Sequence, residues 1–314
     1  QCVVNCRASY ACERLSIDAS SATDLTLTCS GTNSCQSANI QKSATTATTI
    51  RCTSSQSCYY ASFDVTNSDS VDLTCDYYGS SWYGACYLAS FRADGVSNLD
   101  ITCVDRFSCD STNFYASTVT NLALSCSGPY SCQDINVQSS AVAVDIQCTG
   151  WSSCDSAAFD LTGSASVDFT CNNGYDYYAS TIGPSYLASC NAADLIVDDV
   201  GNLTVICMGS YDCYNAKIYA DYASSVNVNC SEDDATNSIK VYAEHADYLV
   251  YNSLGHRSQS VQIHAENAGS VALECEAEYA CYYMQFYGDR ADSVTLHAAQ
   301  NHAFSYGTFK VAHV

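Results

Sequence analysis

The sequence predicts an all-β protein, a single-domain parallel β-helix (β-solenoid). About thirteen rungs of 22–23 residues, with disulfide-stapled corners, are expected over residues 1–314. Three observations carry this reading. Cysteine pairs recur at a fixed period, the apolar residues around them alternate with period two, and only two prolines occur in 314 residues.

The period is read from the first cysteine of each pair, at positions 6, 29, 52, 75, 103, 126, 148, 171, 207, 230 and 275. Most steps are 23 residues and one is 22. The steps from 75 to 103 and from 171 to 207 are longer because residues are inserted between the two cysteines, giving aromatic loops over 76–85 and 172–189. The 45 residues between 230 and 275 are read as two repeats, with Asn252 and Ser258 in the cysteine positions and Tyr248 and Val250 ahead of them as the apolar frame. A last repeat is centred on Ala298 and Phe304. Self-similarity at such a period is the mark of a solenoid, in which each repeat buries its apolar face on its neighbours.

Each repeat supplies two strands. Before the first cysteine the apolar residues stand at −4 and −2, as in Leu25 and Leu27 or Val71 and Leu73. After the second they stand at +3, +5 and +7, as in Ala61, Phe63 and Val65. Alternation of this kind is the strand signal, not the 3.6-residue helical one. The crossover preference of parallel strands makes a right-handed coil the expectation.

The five small polar residues between paired cysteines, as in Cys-Thr-Ser-Ser-Gln-Ser-Cys (52–58), form the corner. Bonds within a rung and bonds between rungs both fit the spacing of cystines. The repeats at 252/258 and 298/304 lose both cysteines together, which favours pairing within a rung. The expected bonds are Cys6–Cys12, Cys29–Cys35, Cys52–Cys58, Cys75–Cys86, Cys103–Cys109, Cys126–Cys132, Cys148–Cys154, Cys171–Cys190, Cys207–Cys213 and Cys275–Cys281. Cys2 and Cys230 are left over, and odd cysteines in an oxidising compartment suggest an inter-subunit disulfide.

Twenty-two cysteines point to an oxidising, extracellular setting and secretion. Gln1 is expected to follow signal cleavage, and sequons at Asn202 and Asn229 suit glycosylation. A net charge of −22 excludes nucleic acid as a partner, because phosphate binding needs a basic face. No apolar run of 18 residues is present, so no membrane insertion is expected.

The corner Cys-Thr-Ser-Ser-Gln-Ser-Cys-Tyr-Tyr-Ala (52–61) resembles the repeat of the disulfide-rich β-helical antifreeze proteins of beetles. That resemblance implies ice binding through a Thr-x-Thr ladder. Here the residues flanking successive cysteines include Arg51/Thr53, Thr74/Asp76 and Glu274/Glu276, which is no threonine ladder. In architecture and composition the chain resembles cysteine-rich fibre and flagellar-hair (mastigoneme) proteins of algae and other protists. This implies a structural subunit of an extracellular filament, with itself as partner.

Other chemistry is weighed against this. Asp72 and Asp100 are expected to stack outward on neighbouring rungs, as are Asp145 and Asp168; the alternative reading is a carbohydrate-binding or carbohydrate-cleaving β-helix. The histidines, His245, His256, His264, His297, His302 and His313, all fall in the last quarter, at spacings that do not bring three or four ligands together. No catalytic residue, metal or cofactor is therefore expected. Assembly contacts are expected at the terminal strands (Val3, Val4, Phe309, Val311) and at the loop aromatics Trp82, Tyr83, Tyr177 and Tyr178, with glycans as a second class of partner.

Overall fold

A computed structural model describes residues 1–77, 79, 83–173, 188–231, 238–255 and 260–312, with backbone alone at 44 and 45. The described chain is an all-β parallel solenoid of about twelve turns. It divides into two compact units, Gln1–Ile146 and Gln147–Val314.

In the first unit, β1 (Cys2–Cys6), β3 (Asp24–Cys29), the C-terminal part of β4 (Asn39–Cys52), that of β5 (Ser62–Asp76), β7 (Asn98–Val104) and β9 (Asn121–Ser127) pair in parallel. The cysteine position keeps register throughout: Cys6, Cys29, Cys52, Cys75, Cys103 and Cys126 are successive partners. The second strand of a turn is short in β6 (Ser90–Arg92) and β8 (Asn113–Ala116), whereas in β4 and β5 it runs on into the first strand of the next turn. Its inward column stacks Phe63, Phe91 and Phe114, with ring centroids 4.5 and 5.0 Å apart and planes within 11°. These distances match the strand spacing of ~4.8 Å, so the core is built by placing like on like.

The second unit repeats the scheme with β13 (Ser166–Cys171), β15 (Asn202–Cys207), β17 (Ser225–Cys230), β19 (Tyr248–Ser253), β21 (Ser270–Cys275) and β23 (Ser293–Ala298) on one side. The short strands are β14 (Asp194–Ile196), β16 (Lys217–Tyr219), β18 (Lys240–Tyr242), β20 (Gln262–His264), β22 (Gln285–Tyr287) and β24 (Thr308–Lys310). Here one expectation is corrected. Ser253, not Asn252, occupies the cysteine register between Cys230 and Cys275, and Leu249 and Tyr251 face inward in place of Tyr248 and Val250. Residues 248–251 are apolar without a break, so alternation alone leaves two registers open, one residue apart. The 23-residue step from Cys230 decides between them. Tyr251, the largest fully buried side chain among the described residues, fills the interior of this cystine-free turn.

All ten disulfides join cysteines of the same turn, eight of them six residues apart, with Cys75–Cys86 and Cys171–Cys190 closing the two longer loops. The stapled stretch is more than a corner. Around Cys35 the amides of Ser34, Gln36 and Ala38 each donate to the carbonyl three residues back, and Asn33, Cys35 and Ser37 have φ of 56°, 55° and 53°. Three overlapping turns with positive φ at the third position follow one another, the pattern of type II turns. The remaining amides bond across turns, Cys35 to the Ala11 carbonyl and Asn33 to that of Ser55. Each turn thus has two strands and a third wall of stacked turns.

The polar pentapeptide follows from this wall. The residue before the second cysteine is buried, as at Ser57, Ser153 and Asp212. Its side-chain oxygen accepts the amide three residues earlier: Ser54 to Ser57 (3.1 Å), Gly150 to Ser153 (3.1 Å) and Gly209 to Asp212 (2.6 Å). At these three turns a short side chain with an acceptor satisfies the turn's N–H, whereas Ala11, Ala85 and Ala280 fill the same position without one.

Candidate functional site

In the second unit the outward residues ending four successive short strands, β16, β18, β20 and β22, form an aromatic column. Tyr219, Tyr242, His264 and Tyr287 stack with centroids 4.9, 4.9 and 4.6 Å apart and planes within 16°. The Lys310 ammonium lies 5.0 Å from the Tyr287 ring centre. All four rings are half-buried, because each covers its neighbour's face. The outer ring edges repeat at the spacing of the turns, and the Tyr287 hydroxyl donates to Gln285 Oε1 at 3.2 Å.

Two further aromatic groups lie on the turn walls. In the first unit Tyr59 stacks on Tyr87 at 5.6 Å and touches Tyr60 at 4.3 Å, with Tyr83 5.2 Å from Tyr87. Burial first, then the hydrogen bond with Tyr60, pushes the Tyr59 hydroxyl up to about 12. In the second unit Tyr282, Tyr283 and Tyr306 lie within 5.6 Å of one another, and Tyr279 stacks on His302 at 5.3 Å. Tyr306 is 74% exposed.

Of the expected contact residues, Tyr83 is exposed beside Tyr87, whereas Trp82, Tyr177 and Tyr178 lie outside the described residues. Val3 is exposed on β1 and Val4 faces the Leu27 column. Phe309 packs against Phe286 and Phe304, and Val311 follows the end of β24. Cys2 and Cys230 stand outside the ten disulfides. Cys2 is half-buried in register with Leu25. Cys230 is fully buried between Cys207 and Ser253, so a bond from it to another chain requires its turn to open. Asn202 is exposed at the start of β15; Asn229 is half-buried, its Oδ1 accepting from Asn252 Nδ2 at 2.7 Å.

The expected acid stacking is present at Asp72 and Asp100, which are register partners. Burial, then the charge of Asp72, holds Asp100 above the usual carboxylate range. Asp105 is raised by burial and by its hydrogen bond with Asp76, and Asp110 is pushed up to about 6, chiefly by burial. Asp145 and Asp168 are exposed. His264 and His297 face outward as expected. The aromatic column was the feature missed in the sequence. Its signal was present in the spacing: Tyr219 and Tyr287 each stand six residues after a second cysteine, and Tyr242 and His264 fall at the same phase.

No family model, curated protein or solved structure matches the chain. Among the described residues, no helix is long and apolar enough to cross a membrane.

Proposed function

We propose that the chain is a structural subunit of a secreted extracellular filament, assembling through surfaces that repeat along its turns. The observation that supports this is the column of Tyr219, Tyr242, His264 and Tyr287. Its ring faces are used up against one another, so flat stacking on sugar rings is disfavoured. What it offers is a row of ring edges at the turn spacing. A partner with the same repeat fits such a row best, and a second copy of this chain has that repeat by construction. Tyrosine suits the role because it gives a protein neighbour both contact area and a hydrogen bond. The ten disulfides suit an oxidising extracellular setting and hold the turns that carry them rigid for packing. In this reading neighbouring copies also continue the strand ladder end to end, Cys2 carries the bond between chains, and Asn202 carries a glycan.

Native material examined by sedimentation and negative-stain imaging tests the reading. Filaments are expected. The variant Tyr219→Ser/Tyr242→Ser/Tyr287→Ser should stay folded by melting and assemble poorly. A monodisperse monomer across the accessible concentration range would overturn it.

A further inference from the structure

The geometry points to a divalent transition-metal site formed by Asp221, Glu244 and His245 on two adjacent turns of the second unit. Asp221 and Glu244 stand 23 residues apart, each just after a buried alanine, Ala220 or Ala243, that follows a short strand. The solenoid period therefore stacks the two carboxylates. The Glu244 amide donates to Asp221 Oδ1 at 2.8 Å, which fixes the aspartate against the backbone of the next turn. Because His245 follows Glu244 directly, the same turn delivers an imidazole to the same place. One ligand atom from each of the three residues lies within 4.8 Å of the other two.

The imidazole separates this cluster from an ordinary patch of acids. His245 Nδ1 is buried, has no hydrogen-bond partner, and lies 3.6 Å from Asp221 Oδ1. The ring is clamped by Tyr222, at a centroid distance of 4.6 Å with planes 5° apart. A buried ring nitrogen with no hydrogen bond, facing only the Asp221 carboxylate at 3.6 Å, is a cost that a bound ion removes. An aromatic clamp that holds a ligand ring does what second-layer contacts do in metal sites. The side chains of His245 and Asp221 are 37% and 36% exposed, which leaves solvent a way in.

First-row ions bind nitrogen and oxygen at about 2.0–2.2 Å, which places ligand atoms roughly 3–3.5 Å apart. Closing from 4.8 Å needs only side-chain rotation, most readily of the glutamate. Two carboxylates and one imidazole leave a tetrahedral ion one open position for water. The nitrogen donor selects zinc-like ions over calcium or magnesium, which take oxygen ligands. Asp198 lies one turn before, its Oδ1 accepting the Asp221 amide at 2.9 Å, and adds negative charge that draws cations without itself being needed as a ligand.

The test is titration of chelator-treated full chain with Zn²⁺, followed by calorimetry and by the d–d absorption of Co²⁺. One saturable site per chain is expected, with a higher melting temperature when loaded. Excess Ca²⁺ or Mg²⁺ should not displace the ion. His245→Ala should weaken binding at least tenfold while the unloaded variant melts as the parent does. Asp221→Asn keeps the acceptor for the Glu244 amide and should also weaken binding. If His245→Ala misfolds, the Co²⁺ spectrum of Asp221→Asn decides alone: an unchanged spectrum and affinity overturn the site. So does the absence of saturable uptake, or equal displacement by Ca²⁺.

Discussion

Asp72 and Asp100 face one another on neighbouring turns as partners in a parallel ladder. Two carboxylates in register repel when both are charged, and the fold holds Asp100 above its ordinary range through burial and then through Asp72. Asp105 is held up in the same way, by burial and then by Asp76, and Asp134 is raised by burial. Asp110 is pushed up to about 6 by burial, against the pull of the Ser111 hydroxyl and with a further push from Asp134. Asp94 runs the other way: burial works against it, but Ser117 and Arg92 hold it below the usual range.

A carboxyl with a raised folded value binds its proton more tightly in the native state. Its contribution is complete below the unfolded value, about 4, and is lost as pH rises through the folded value. The first unit should therefore lose stability from Asp110 between about pH 4 and 6, by roughly 2–3 kcal/mol. Asp110→Asn should raise the denaturation midpoint at pH 7 and flatten the profile between pH 4 and 7. Denaturant titrations of parent and variant at the two pH values check this; identical slopes would contradict it.

Lys42 stands in an inward column, partnered with Val65, and is 2% exposed. Its ammonium donates to the Ala22 carbonyl. A neutral carbonyl compensates a buried charge only in part. Lys42→Met keeps the length and removes the charge, and should stabilise by about 1–3 kcal/mol. Thermal and urea melts measure it. A loss of stability would mean that the charge has a further favourable partner.

The disulfides differ in what they restrain. Cys148–Cys154 spans six residues and Cys171–Cys190 spans nineteen. Loop-closure entropy gives roughly 2.4 kcal/mol for the first and roughly 3.3 for the second. Replacing each pair with alanines should therefore cost about 1 kcal/mol more at 171/190. Equal losses would show that buried sulfur packing outweighs the chain entropy.

The sequons should not behave alike. Asn202 opens β15 on an exposed position, whereas Asn229 is half-buried and bonded to Asn252. Glycopeptide mapping after expression in a secretory host should find glycan at Asn202 and little at Asn229. The reverse occupancy would show that modification precedes closure of that turn.

Much of the fold was legible because the chain repeats itself. The cysteine period, the alternation at Leu25 and Leu27, and the paired loss at the cystine-free turns specify strands, register and disulfides together. Register failed only at 248–251, where four apolar residues in a row erase the alternation. The turn wall was hidden because its signature is backbone conformation: cysteine, tyrosine and serine hold positive φ that the sequence would assign to glycine or asparagine. The site was less legible. The Asp221–Glu244–His245 cluster and the aromatic column both depend on residues about one turn apart, and these become neighbours only once the period is used as a contact map.

The wall of overlapping turns bears on how such a chain comes to be ordered. A positive φ at a residue such as Cys35 costs on the order of 1–2 kcal/mol for a side chain with a Cβ. The bonds that offset this cost run to the turn before and the turn after, at Ala11 and Tyr59. An isolated turn has the expense without the return. Ordering should therefore begin only where two or three turns meet, and then advance along the chain like the growth of a crystal on its own face. The last turn to close acts as the template for the next, and damage at one turn spreads no further than its two neighbours.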